Sequence, residues 1–220
     1  CEKYCQYVDE GYTDVIHVPI NRSGSSTYNN AVMAQGMLRE ERPEHHLNIH
    51  LLDPHTYSMV FGWYLCEMAR KLQNGAELRH VISEFETQMN KMEVILGPYS
   101  LKQMKKSGRI SAAAAVMGEL MGIRPIITLI DGKTRVESKV RGDDKVIPAM
   151  IDLCKKRTEG VEDFDYMIGH TSIPQAAELE KACRKAFGKA PLTTFNLGGV
   201  VSANTGPDTL ALIYVGKARD

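Results

Sequence analysis

The chain has 220 residues, 43% of them apolar, with 27 Lys and Arg against 27 Asp and Glu. That is enough to bury the core of one large or two small domains, while a net charge of zero removes the basic surface that nucleic-acid binding needs. No run reaches the roughly 18 uncharged apolar residues of a membrane span, and the start lacks the order of a secretory signal. The expectation is a cytoplasmic protein without stable membrane insertion.

The chain opens on CEKYC, a helical pattern already under way over 2–9, as expected of a piece of a longer protein. TDVIHVPI (13–20) reads as a strand, 25–40 as a helix, LNIHLLD (47–53) as a strand and 56–73 as a helix. Gln73, Asn74 and Gly75 stop that helix, Gly supplying the left-handed cap, and the domain boundary is placed there. Beyond it come a helix over 76–90, the strand MEVILG (92–97), helices over 100–106 and 111–121, and strands over 125–130 and 133–140. The DGK at 131–133 joins the last two as an antiparallel hairpin. A helix over 144–157, a strand over 163–169, a helix over 174–187 and strands over 191–196 and 208–215 complete the chain. The fold class is therefore α/β in two domains. Residues 1–75 form the remainder of a Rossmann-like parallel-sheet domain, and 76–220 a second α/β domain with a mixed or antiparallel sheet.

NRSGSSTYNNA, residues 21–31, packs four hydroxyl side chains and a glycine into five positions where a strand gives way to a helix. Free backbone N–H groups and the positive helix end there favour an anion, and open α/β sheets bind ligands at the carboxyl ends of their strands. Ser25, Ser26 and Thr27 are thus candidates to grip a carboxylate or phosphate; the plainer reading makes Ser25 the helix N-cap. No Lys follows in the phosphate-loop pattern and G-x-G-x-x-G is absent, so nucleotide binding has no support. Asn204 and Thr205, before Gly206 and Pro207, offer an amide and a hydroxyl on what reads as a turn between strands. Arg109 and Arg141 either cap exposed carbonyls or pair with an anionic ligand or a partner's phosphate. His45, His46, His50 and His55 match no metal-ligand spacing, and no metal or cofactor is expected. The five cysteines, without any CxxC, read as reduced thiols filling core or interface.

GYTDVIHVPINRSGSSTYNNA, LKQMKKSGRIS, MGIRPIITLIDGKTRVESKVRG and GGVVSANTGPDTLALIY, in that order, resemble the DegV family of bacterial acyl-binding proteins over nearly the whole chain. The resemblance implies a two-domain α/β protein that buries a long-chain fatty acid between its domains. It implies further that the protein presents the carboxylate to a partner fatty acid kinase, which forms an acyl phosphate for phospholipid synthesis. The chain would then be a non-catalytic lipid-binding subunit. Carried over by motif, Ser25 matches a carboxylate-binding serine and Thr205 lies in the second carboxylate corner. Arg109 and Arg141 fall in motifs tied to the head group and partner engagement. Asn204 stands where the family usually has His, Ser26 and Asp208 where it has glycines, and the family's first strand, helix and strand have no match. An amide cannot gain a proton near neutral pH as imidazole does, and Asp208 adds negative charge beside the proposed head-group site.

Two rival readings remain. One is a binding module for another carboxylated lipid or small anion, without a kinase role. The other is a serine-dependent enzyme with Ser25 as nucleophile, which lacks an accompanying base.

Overall fold

In the computed structural model, residues 1–108 and 122–218 are described. Their elements are α1 (Glu2–Asp9), β1 (Asp14–His17), α2 (Thr27–Glu41), β2 (Asn48–Leu51), α3 (Met59–Gln73), α4 (Leu78–Met89), β3 (Met92–Pro98) and α5 (Lys102–Ser107). These are followed by β4 (Ile123–Ile130), β5 (Lys133–Arg141), a 3-10 turn (Asp143–Lys145), α6 (Val146–Arg157), β6 (Tyr166–His170), α7 (Gln175–Phe187), β7 (Thr194–Asn196), α8 (Gly198–Thr205) and β8 (Thr209–Val215). All eight expected strands are present, and the helix expected over 111–121 lies outside the described residues. One element differs outright: 198–205 is a helix, not a strand-to-strand turn. Two glycines and two valines give it low intrinsic helix propensity, so tertiary contacts must support it.

Packing divides the chain into Cys1–Tyr57 and Ser58–Asp220. The break at Gly75, where a boundary was expected, is the turn between α3 and α4, and α3 groups with the second unit through its packing on α4.

In the first unit β1 and β2 pair in parallel, Asp14 opposite Asn48 through His17 opposite Leu51. Parallel neighbours need a crossover, and α2 supplies it. Buried Tyr4, Leu38 and Leu47 join α1 to this β-α-β unit. Tyr4 Oη also lies 2.5 Å from His17 Nδ1, with the two rings edge to face.

Burial holds the His17 imidazole below its ordinary value of 6.5. On unfolding, His17 regains the ordinary value, so below pH 6.5 the unfolded chain binds a proton that the folded chain resists. Stability should therefore be constant above that pH and decline below it, until the folded imidazole also titrates. Asp14, held below 3.8 chiefly by its hydrogen bond with His50, adds a loss of the same sign at lower pH. Urea midpoints at about pH 7.5 and about pH 5.5 should differ for the parent and converge for His17→Gln.

The second unit holds a mixed six-stranded sheet in the order β5-β4-β3-β8-β6-β7, antiparallel except for β6–β7. Asp131 and Gly132 both take positive φ (49° and 70°) in the β4–β5 hairpin, as the expected two-residue turn requires. Central β3 is buried at all seven positions. Its Ile95, with Ile126, Ile168, Leu210 and Leu212, packs in the core that Ile147, Met150, Cys154, Leu179 and Cys183 of α6 and α7 share. No helix among the described residues is long and apolar enough to cross a membrane.

Candidate functional site

The hydroxyl-rich turn of the first unit is built around Asn21, which is 1% exposed. Its backbone N–H donates to the Thr56 carbonyl (3.1 Å), and its Oδ1 accepts from both the amide and the hydroxyl of Ser23 (3.1 Å each). Its Nδ2 donates to Tyr57 Oη (3.1 Å). The turn is thus locked onto the segment after β2, where Asp53 Oδ1 accepts from the amides of Arg22 (3.3 Å) and His55 (3.0 Å). Asn21 and Tyr57 carry no local signal of this role, because nothing in the sequence pattern shows that positions 36 residues apart meet.

Ser26, not Ser25, is the N-cap residue of α2, and its side chain makes no capping bond. Ser25 Oγ instead accepts from the Thr27 amide (3.2 Å). The hydroxyl protons of Ser25, Ser26 and Thr27 have no acceptor among the described residues. The first-turn amides of Tyr28 and Asn29 also face no helical carbonyl, as at every helix start. No acidic side chain occupies this first turn, and the Arg22 guanidinium stands 5.5 Å from the centre of the Tyr28 ring. The same guanidinium lies 3.9 Å from Asp53 Oδ2, so its charge is already partnered, and what the turn itself offers a carboxylate is its hydroxyls and the positive helix end. Ser25 Oγ has no hydrogen bond to a histidine, lysine or carboxylate among the described residues, the arrangement that would activate a serine nucleophile.

The 204–205 corner, in the second unit, is the last turn of α8. The carbonyls there are capped from α5: Gln103 Nε2 donates to the Ala203 oxygen (2.5 Å) and Ser107 Oγ to the Asn204 oxygen (3.2 Å). Asn204 Nδ2 donates to the Val200 carbonyl (2.8 Å). The Thr205 hydroxyl, 5% exposed, bonds to the carbonyls of Val201 (3.2 Å) and Gly206 (3.4 Å). The Thr205 hydroxyl and one of the two Asn204 amide N–H groups are therefore turned onto their own backbone, at the negative end of a helix, and the hydroxyl must rotate to meet a carboxylate. Asp208 is exposed.

Arg141 ends β5, exposed and opposite Ile123. The register places it at the same sheet end as Pro98, Thr209 and hence the corner. Three strand spacings of about 4.8 Å separate β5 from β8, roughly 14 Å. Arg109 lies outside the described residues. The structure thus joins Ser25, Ser26 and Thr27 in one turn, and sets Arg141 and the Asn204–Thr205 pair along one sheet end.

The profile of one family, described as an uncharacterised protein of the DegV family, matches residues 1–217. The chain belongs to the DegV family. A DegV domain-containing protein of Clostridium acetobutylicum is 27% identical over 217 residues, 97% of this chain and 75% of that protein. A fatty acid binding DegV family protein from Streptococcus agalactiae superposes with a TM-score of 0.83 at 26% identity, covering 98% of this chain and 75% of that one. A stearic acid-binding protein from Eubacterium ventriosum shares the fold at a TM-score of 0.86 and 21% identity, over 99% of this chain and 75% of its own. The DegV chain described here therefore has the two-sheet α/β architecture of fatty-acid-binding structures.

Proposed function

We propose that this chain binds one long-chain fatty acid and acts without catalysis of its own, Ser25 receiving the carboxylate with Ser26 and Thr27. The observation that carries the reading is the likeness, at 26% identity and TM-score 0.83, to a DegV protein described as fatty acid binding. The unaccepted hydroxyl protons of the turn support it. Each methylene taken from water contributes about 0.8 kcal/mol, so the tail supplies most of the affinity and the head group the orientation. A hydrogen bond to a charged group contributes about 1.5–3 kcal/mol, so Ser25→Ala should weaken binding by roughly 10- to 150-fold. Native mass spectrometry of the purified protein, then titration with palmitate and its methyl ester, tests this. One acyl chain bound to the parent, with the acid favoured over the ester and that preference lost in Ser25→Ala, is the expected result. A protein that is empty and refuses added palmitate and oleate would end the reading.

As the resemblance implies, the bound carboxylate would then pass to a partner fatty acid kinase, with the 204–205 corner and the arginines Arg109 and Arg141 at the head-group end. A second reading, a fatty acid carrier without a kinase role, draws support from Asn204, whose amide is tied to the Val200 carbonyl where an imidazole would titrate. Adding a fatty acid kinase catalytic subunit and ATP to the loaded protein separates the two. Acyl phosphate from the parent favours presentation; acyl phosphate only after Asn204→His favours the carrier.

A further inference from the structure

Among the described residues, one group of His, Cys, Asp or Glu side chains converges closely enough to share a metal ion: Cys1, Cys5 and Glu41, whose ligand atoms all lie within 4.8 Å of one another. Cys1, the N-cap residue of α1, and Cys5 stand four residues apart, one helical turn, and Glu41 ends α2, which packs against α1. The spacing between the atoms is informative. Cys1 Sγ and Cys5 Sγ are 3.7 Å apart, and Cys5 Sγ is 3.4 Å from Glu41 Oε2. A tetrahedral zinc ion with its ordinary bond lengths sets two sulfurs about 3.8 Å apart and a sulfur and an oxygen about 3.5 Å apart. Two of the three ligand separations thus already match that tetrahedron, and the third, Cys1 Sγ to the Glu41 carboxylate, is within 4.8 Å, on two helices that share a buried core.

We infer that Cys1, Cys5 and Glu41 form a three-ligand site for a thiophilic divalent cation of the zinc class, its fourth position open to water. Two thiolates disfavour magnesium and calcium, which take oxygen ligands. Cys1 and Cys5 are partly exposed, so an ion can reach them. Their triple negative charge is offset by the cation and by Arg42, which lies close enough to favour the Cys5 thiolate. A thiol binds a metal only as its thiolate. The metal must therefore displace protons, and binding should tighten as pH rises. Occupancy would brace the start of α1 against the last turn of α2, the helix whose other end carries Ser26 and Thr27. The assignment does not depend on fatty acid binding.

The test is a titration of the reduced, chelator-treated full chain with Co(II), followed by displacement with Zn(II). Expected are one equivalent bound, thiolate-to-cobalt charge transfer in the near ultraviolet, visible bands of a tetrahedral ion, and loss of all of them on adding zinc. Cys5→Ser should abolish the charge-transfer band, Glu41→Gln should weaken binding by about tenfold or more, and Cys66→Ser should change nothing. Zinc should also raise the thermal midpoint of the parent but not of Cys5→Ser. Absence of a charge-transfer band, or an unchanged band in Cys5→Ser, would overturn the assignment. Because Glu41 is exposed at a helix end, Glu41→Gln keeps the test decisive even where a cysteine variant folds poorly.

Discussion

Glu93→Ala is expected to lower the free energy of unfolding by about 3–5 kcal/mol, measured as a shift of the urea midpoint. Glu93, in β3, is 6% exposed. Its Oε2 accepts from Arg157 Nε (2.5 Å) and from Tyr214 Oη (2.6 Å), and its Oε1 from Arg157 Nη2 (3.0 Å). The carboxylate thereby joins the end of α6 to two adjacent central strands. Burial and the Glu93 charge both push the Tyr214 phenol up, so it stays a donor, and the hydrogen bond to Glu93 holds the Arg157 guanidinium charged. Truncation leaves a partly desolvated cation and a fully buried hydroxyl without their acceptor, and that orphaning is the source of the loss. Two controls follow. Glu93→Gln keeps an acceptor and should lose less. Glu93→Ala with Tyr214→Phe should lose less than the sum of the two single changes, because the second removes a hydroxyl the first has stranded. A loss under about 1 kcal/mol would place the triad with exposed ion pairs. Glu93 pairs with Ile130 and Tyr214, at the other end of β3 from Pro98 and the corner, so ligand affinity of the folded fraction should not change.

The second large effect is expected at Gly24. A Cβ there would lie 1.8 Å from Tyr57 Oη and 2.9 Å from Cζ of the same ring. The ring is rigid and Tyr57 Oη accepts from Asn21, so relief requires breaking the bond that locks the turn or moving the turn itself. Gly24→Ala should therefore cost about 1–3 kcal/mol of stability, in the range of overpacked cores. It should also weaken fatty acid binding more than Ser25→Ala does, since all three hydroxyls move together. Tyr57→Phe removes the closest clashing atom; combined with Gly24→Ala it should recover part of both losses, and additivity would show that the contact is not the cause.

The strands were legible because each carries its own apolar run between polar breaks, a local signal. The helix Gly198–Thr205 was not, because Gly-Gly-Val-Val is poor helix sequence and the supporting bonds come from Gln103 and Ser107, about a hundred residues away in the chain. The turn at Ser25–Thr27 could be read from its composition, yet the residues that shape it, Asn21 and Tyr57, meet only in three dimensions. The cysteines show the same limit. Without CxxC they looked inert, and what changes that reading is Glu41, which the α1–α2 packing brings to Cys5 across 36 positions. Arg141 falls in a motif that the resemblance ties to the head-group region, and the sheet register adds only that it shares an end with the corner.

The order of the second sheet leaves β5 and β7 as its edges among the described strands. An edge offers unpaired amides and carbonyls to any passing extended chain, and a nine-residue edge offers many. β7 limits the hazard by brevity, at three residues. β5 is long, but it carries Lys133, Arg135, Lys139 and Arg141, all exposed, with Glu137 as its one acidic residue. A second copy approaching in register would set like charges against one another. The basic run that ends at Arg141 therefore also guards the sheet against growing into an aggregate.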